Sequence, residues 1–343
     1  MSRSRPRRPG LPPTCSIAGC LALTGLALLS AACTETLDAG HSRPHGLLPV
    51  DERNPMILYQ DDWSGDWLGE YAVLMTNTGG PPLAGIVINE TKLWPDVNQN
   101  ATGWNDLLVA AKSSGLKNIP VVTSSVGAPL TRPADGQIDS TIANDSAGAR
   151  LIRDVSSRLA TPSLPLVVVS GTSLTEVADA YLIDHSVVDR VVVVASLGSF
   201  TAPTGLMIAP NGDLDPWADW IVAQRFRYVQ VSKYYDQTGD VTMAEVPNLP
   251  QNPLGARMMK KRPNLIPAPQ ASDQVALLAA ALPMFAAAVQ RSSPDTTGAF
   301  DPTQGPALLP DPMGNTWIVT QIAAPLAQAR LWQMLLDANT FAP

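Results

Sequence analysis

Three carboxylates, Asp61, Asp62 and Asp66, fall within the six residues Asp61-Asp62-Trp63-Ser64-Gly65-Asp66, directly after the apolar run Met56-Ile57-Leu58-Tyr59. Aimed together from the end of a strand, they repel one another. A hard cation bound through oxygen, calcium or magnesium, relieves that repulsion, while a polar N-cap and turn cluster accounts for the same residues without a metal. Successive strand residues point to opposite faces, so Asp61 is expected to aim away from Asp62. Trp63 and Trp67 flank the loop and can stack on a sugar or base ring or pack under a following helix. The three histidines add nothing to this chemistry: His41 and His45 lie near the start of the chain, and His185 sits in the turn Asp184-His185-Ser186. No Gly-x-Ser-x-Gly elbow and no Walker loop occurs. The net charge of −7 and the lack of a long basic run in the body, where Lys260-Lys261-Arg262 is a short solvated cluster, leave no electrostatic footprint for a nucleic acid.

The elements that must hold this loop alternate between strand and helix. Apolar runs predict strands at Met56–Tyr59, Leu83–Ile88, Ile119–Thr123, Leu166–Val169, Val191–Ala195 and Tyr228–Val231. Helical patterns lie between them at Glu70–Met75, Asn105–Ser113, Ala149–Leu159 and Leu174–Leu182. Asp215-Pro216 opens a further helix, with Asp as N-cap and Pro in the first turn. Asp273–Val289 is expected as one long Ala/Leu helix, and residues 244–270, with six prolines, as a long loop. Continuous apolar strands such as Leu166-Val167-Val168-Val169 belong in a sheet covered on both sides. The fold class is therefore α/β, an open and mainly parallel sheet with helices on both faces. Ligands of such sheets bind at the carboxyl ends of the strands, where the acidic loop begins.

The first residues carry a different message. Arg3, Arg5, Arg7 and Arg8 with no acid precede the apolar run Leu21–Leu29 and then Ser30-Ala31-Ala32-Cys33. A basic segment, a short apolar core and small residues before a cut are the marks of a secretory signal, and the run is too short to span a bilayer. Cys33 after two alanines resembles a bacterial lipobox, with lipidation at Cys33; an ordinary signal peptide cut near Cys33 is the other reading. The expected organisation is a signal peptide at 1–32, a tether at 33–54 and one domain at 55–343. The mature chain would carry 19 basic and 30 acidic residues, a charge of −11, and Cys33 alone among cysteines. An exported protein without a cysteine pair has no disulfide. Its membrane contact is expected through the lipid only, at the cell envelope. With 45% apolar and 15% charged residues the chain is not of the disordered class.

Four stretches in order resemble the inosine–uridine nucleoside hydrolase family. The loop after Tyr59 resembles the family's opening Asp-rich loop in its Asp-Trp-x-Gly-Asp form. Gly171-Thr172-Ser173-Leu174-Thr175-Glu176-Val177-Ala178 resembles its Gly-Pro-Leu-Thr-Asn-Leu-Ala turn, with one residue inserted. Pro210-Asn211-Gly212-Asp213-Leu214-Asp215-Pro216 resembles its Asn-x-x-x-Asp-Pro segment, and Ser272-Asp273-Gln274-Val275-Ala276 its His-Asp-Pro-Leu-Ala segment. The resemblance covers about residues 55–290 and implies the family's fold, a small riboside-like ligand and hydrolysis of an N-glycosidic bond.

It also implies roles residue by residue. Asp62 falls on the Asp that is both calcium ligand and base, and Asp66 on the Asp beside the sugar. Thr175 falls on the Thr whose carbonyl binds calcium, Asp273 on the later calcium Asp, and Asn211 on the Asn that hydrogen-bonds the ribose. Trp63 is a candidate stacking partner for the ligand. The departures are Gln60 at the first Asp, Trp67 or Leu68 at a further calcium Asp, Ala209 at a sugar-binding Glu, and Ser272 at the His that protonates the leaving base. Asn89 lies near the family's early Asn, with the register open. About two carboxylates remain for calcium, and fewer charges weaken such a site. Two functions follow: a divergent hydrolase with Asp62 as base, or an inactive relative that binds a ligand or partner at the envelope.

Overall fold

Each strand of the central sheet alternates its side chains between two apolar clusters, and this period of two dictates the layering. Met56 and Leu58 of β1 (Met56–Gln60) join one cluster, and Ile57 and Tyr59 join the other. The same alternation runs through β4 (Leu166–Ser170), β5 (Val191–Ala195) and β6 (Arg227–Val231). The computed structural model describes residues 48–61, 68–197, 211–231, 249–261, 274–303 and 305–337. Asp62, Trp63, Asp66, Trp67, Asp273, Ser272, Ala209 and the lipidation candidate Cys33 lie outside the described residues.

Among the described residues the sheet has nine strands in the order β3-β2-β1-β4-β5-β6-β9-β7-β8, where β2 is Leu83–Ile88, β3 Val122–Ser124, β7 Ala286–Pro294, β8 Leu308–Pro310 and β9 Thr316–Ile322. All pairings from β3 to β9 are parallel, and β7 alone runs opposite, pairing antiparallel with both β9 and β8. One face is covered by α1 (Leu68–Asn77), α2 (Val97–Ser113), α6 (Pro253–Lys261), α7 (Gln274–Ala281) and part of α8 (Ala324–Leu336). The other is covered by α3 (Ala147–Leu159), α4 (Thr175–Ile183) and α5 (Pro216–Arg225). The mainly parallel, doubly covered sheet expected from the sequence is the observed one. No helix among the described residues is long and apolar enough to cross a membrane.

Several local expectations are corrected. Asp273–Val289 is not one helix: α7 ends at Ala281, Leu282 is extended at φ −138° ahead of Pro283, and β7 starts at Ala286. Proline disfavours helix in the residue before it, and pairing with β9 takes the Ala-rich continuation into the sheet. The stretch 244–270 holds α6, whose start is marked by Asn252 Oδ1 accepting from the Gly255 amide at 2.9 Å with Pro253 as first residue. β3 begins only at Val122, because Pro120 cannot donate to a ladder. α2 starts eight residues earlier than its apolar face suggests, at an Asp96 cap that accepts from the Asn98 and Gln99 amides.

Candidate functional site

The sheet grows outward from β1 in both directions, through β2 on one side and β4 on the other. The point where strand order reverses opens a crevice beyond the carboxyl ends of β1 and β4, the position where open α/β sheets bind ligands. Gln60 and Asp61 end one wall, Gly171, Thr172 and Ser173 end the other, and Asn89 stands at the end of β2 with its amide bonded to the Gln60 carbonyl at 2.9 Å. In the sequence the acidic loop follows directly on Asp61, and its residues 62–67 lie outside the described residues.

Beneath the crevice lies a buried chain of hydrogen bonds. Asn89 Nδ2 donates to Tyr59 Oη at 2.9 Å, Tyr59 Oη meets Ser173 Oγ at 3.2 Å, Ser173 Oγ meets Thr175 Oγ1 at 3.0 Å, and Thr175 Oγ1 reaches Asp215 Oδ2 at 2.8 Å. The carboxylate can only accept, so proton counting fixes the direction: Thr175 donates to Asp215, Ser173 to Thr175, and Tyr59 to Ser173. Asp215 also accepts from the Leu130 amide at 2.8 Å and, as the N-cap of α5, from the Ala218 amide at 3.0 Å. Burial pushes its carboxyl above the ordinary carboxylate range, and these donors pull it back. Burial, with the nearby Glu176 charge, raises the Tyr59 phenol well above its usual value.

A second buried knot adjoins the first. The Ser146 hydroxyl lies within bonding range of both Glu176 Oε2 and Asp179 Oδ2, the latter at 2.7 Å. Asp179 further accepts from the amides of Asn144, Asp145 and Ser146. One hydroxyl hydrogen cannot serve two carboxylates. Burial raises the Glu176 carboxyl, against the pull of hydrogen bonds from Ser146 and Ser125.

Two of the sequence-derived site residues are thus described. Thr175 opens α4 at the crevice, and its side chain is committed to Asp215. Asn211 spends both amide hydrogens on backbone, donating to the Gly171 carbonyl at 2.7 Å and the Ser196 carbonyl at 3.0 Å. It ties the ends of β4 and β5 together, and among the described residues its Oδ1 accepts no hydrogen bond. Asp61 accepts from Thr91 Oγ1 at 2.6 Å. Leu68, one of two residues standing at a calcium Asp of the resembled family, is buried at the start of α1 and offers no oxygen from its side chain. Sequence reasoning missed Tyr59, Ser173, Ser146, Glu176 and Asp179. Tyr59 lies in an apolar strand and Glu176 and Asp179 in a helix that is buried along most of its length, where polarity was their one signal; Ser146 and Ser173 sit in polar turns and carried none.

No protein-family model matches the chain, and no curated protein sequence does. Solved structures do match. An inosine–guanosine nucleoside hydrolase aligns over 82% of this chain and 98% of its own at a TM-score of 0.60 and 16% identity. The chain has a nucleoside hydrolase-like fold. An inosine–uridine preferring nucleoside hydrolase from Bacillus anthracis aligns over 84% of this chain and 100% of its own, at a TM-score of 0.57 and 12% identity. A protein described as an effector aligns over 95% of this chain and 99% of its own, with a TM-score of 0.51 and 15% identity. In this nucleoside hydrolase-like fold the β1 and β4 ends carry the two stretches singled out from sequence, the Asp-rich loop and the Gly171–Ala178 turn.

The polar side chains described at the ends of β2 and β4 are the Asn89 amide and the Thr172 and Ser173 hydroxyls. Neither sulfur nor imidazole stands with them, and oxygen ligands of this kind suit a hard cation such as calcium. Among the described residues no group of three or more His, Cys, Asp or Glu is placed to hold a metal, and Asp62 and Asp273 lie outside those residues.

Proposed function

We propose that the chain is a divergent nucleoside hydrolase-like protein that hydrolyses the N-glycosidic bond of a riboside-like substrate at the crevice between β1 and β4. The single observation that carries this reading is the coincidence of the acidic loop with the switch point of a nucleoside hydrolase-like sheet. Asp62 acts as base, taking a proton from the attacking water. Asp66 lies beside the sugar and stabilises positive charge as the bond to the base breaks, since such transition states are oxocarbenium-like. Asp62, Asp273 and the Thr175 carbonyl would hold calcium, which would supply a Lewis acid that orients the water and lowers its pKa. Asn211 Oδ1 and the ring of Trp63 hold the sugar or base.

A second reading, an inactive relative that binds a ligand or partner, is favoured by specific residues. Gln60 and either Trp67 or Leu68 replace carboxylates, and Ser272 is a poor acid in place of a His. General acid–base assistance is worth roughly 10²–10⁴-fold, so losing the acid matters most for poor leaving groups. The expected outcome with millimolar calcium is negligible turnover of inosine and uridine and slow cleavage of a nitrophenyl riboside, abolished by Asp62→Ala. A nitrophenyl riboside rate that survives Asp62→Ala would refute hydrolysis at this site and leave the binding reading. Fast inosine cleavage abolished by the same change would instead rule out the inactive relative.

A further inference from the structure

The turn that follows β2 crosses the crevice. Thr91 and Trp94 close it with a reciprocal backbone pair, each amide donating to the other's carbonyl at 3.1 Å. Its base is pinned twice. Asn100 Nδ2 donates to the carbonyls of Asn89 at 3.1 Å and Trp94 at 3.2 Å, and Thr91 Oγ1 donates to Asp61 at the end of β1. The tip is Lys92-Leu93, with Leu93 48% exposed. Lys92 Nζ donates to Asp213 twice, to Oδ2 at 2.9 Å and to the backbone carbonyl at 3.2 Å.

Asp213 lies in the turn between Asn211, which is bonded to the ends of β4 and β5, and α5. Since β2, β1, β4 and β5 are consecutive in the sheet, the Lys92–Asp213 contact passes over the carboxyl ends of β1 and β4, a span of about 14 Å at the usual strand spacing. Below it Asn89, Thr172 and Ser173 are almost wholly buried.

We propose that the Thr91–Trp94 turn is a strap over the crevice, latched by Lys92 on Asp213, and that release of this latch admits the ligand. The base of the strap is hydrogen-bonded on both sides, so the strap swings about that pinned base when the latch at its tip lets go. The latch is an exposed ion pair, with side chains 56% and 38% accessible, and such pairs are weak and screened by salt. Weakness suits a contact that must open in each binding event. The argument holds whatever the ligand is, so it can fail while hydrolysis stands, and the reverse.

The test plants a thiol on the floor by Thr172→Cys in the full chain and follows its modification by a small methanethiosulfonate, resolved from Cys15, Cys20 and Cys33 by peptide mass spectrometry. Adding Lys92→Ala or Asp213→Ala should speed labelling roughly two- to five-fold, the scale of an exposed ion pair. The double variant should gain no more than either single one, because both remove one contact. High salt should speed the latched parent alone. A thiol placed by Ser157→Cys on the far side should label equally in every background. Should Thr172→Cys fail to fold, hydrogen exchange at the Trp94 and Leu214 amides in Lys92→Ala decides, with faster exchange expected. Floor labelling or amide exchange unchanged by Lys92→Ala, or effects that add in the double variant, would overturn the strap.

Discussion

Glu176 is a carboxyl group held away from water, against Ser146, with Gly127 and Gly148 so close that a Cβ on either would approach it within 2.8 and 3.2 Å. Its folded pKa is raised by burial. Such a group favours the folded state while protonated, and this stability is lost as pH rises from the ordinary carboxylate range through the raised folded value. Glu176→Gln keeps the shape and removes the titration, so its denaturation free energy should fall less than that of the parent between pH 4 and pH 8. A parent and variant with parallel pH profiles would show that Glu176 does not hold its proton. Asp215 plays the opposite part, as the acceptor that ends the chain from Asn89. Asp215→Ala removes an N-cap and orphans the Leu130 amide and the Thr175 hydroxyl, and should cost about 2–4 kcal/mol in urea denaturation. At this scale the sequence was legible only in part. The acidic loop, Thr175 and Asn211 stood out by motif, and Asp215 by its Pro. Tyr59 and Glu176 are polar groups in buried elements and Ser146 is a helix N-cap, and only the packing of distant segments reveals what they bond.

Among the elements, α3 meets the sheet through Gly148, whose amide donates to Ser125 Oγ at 2.8 Å. A Cβ there would lie 2.7 Å from Val87 Cγ1 and 2.9 Å from Ser125 Oγ. Both atoms sit on short side chains close to their backbone, so neither can swing away. Overpacking of this kind costs typically 1–3 kcal/mol, while the helix propensity gained over glycine returns at most about 1. Gly148→Ala should therefore lose about 1–2 kcal/mol, read as a lower denaturation midpoint with unchanged slope. The six central parallel strands were legible because continuous Val, Ile and Leu runs have one home in an α/β protein. The far end was not. β7 follows an Ala-rich helix without a change of composition, and its strand state comes from pairing with β9 across the chain. The 3.6-residue pattern of α6 was masked by the prolines around it, although Asn252-Pro253 is a start signal.

For the whole molecule, the signal segment and the domain make separable claims. Lipid attachment at Cys33, proposed from the small residues before it, predicts that Cys33→Ala moves the protein from membranes into the soluble exported fraction. Membrane association that survives the change would refute lipid attachment at Cys33. The domain claim rests on convergence: Asp62 after β1 and Asp273 before α7 are about two hundred residues apart in sequence, and a shared cation requires both loops at one crevice. Calcium titration by calorimetry, on the parent and on Asp62→Ala and Asp273→Ala, tests this directly, with Asp154→Ala as an exposed control. The account predicts a single site with a dissociation constant on the order of 10⁻⁴–10⁻³ M, lost in each of the two variants and kept in the control. Calcium affinity that neither Asp62→Ala nor Asp273→Ala alters would contradict it.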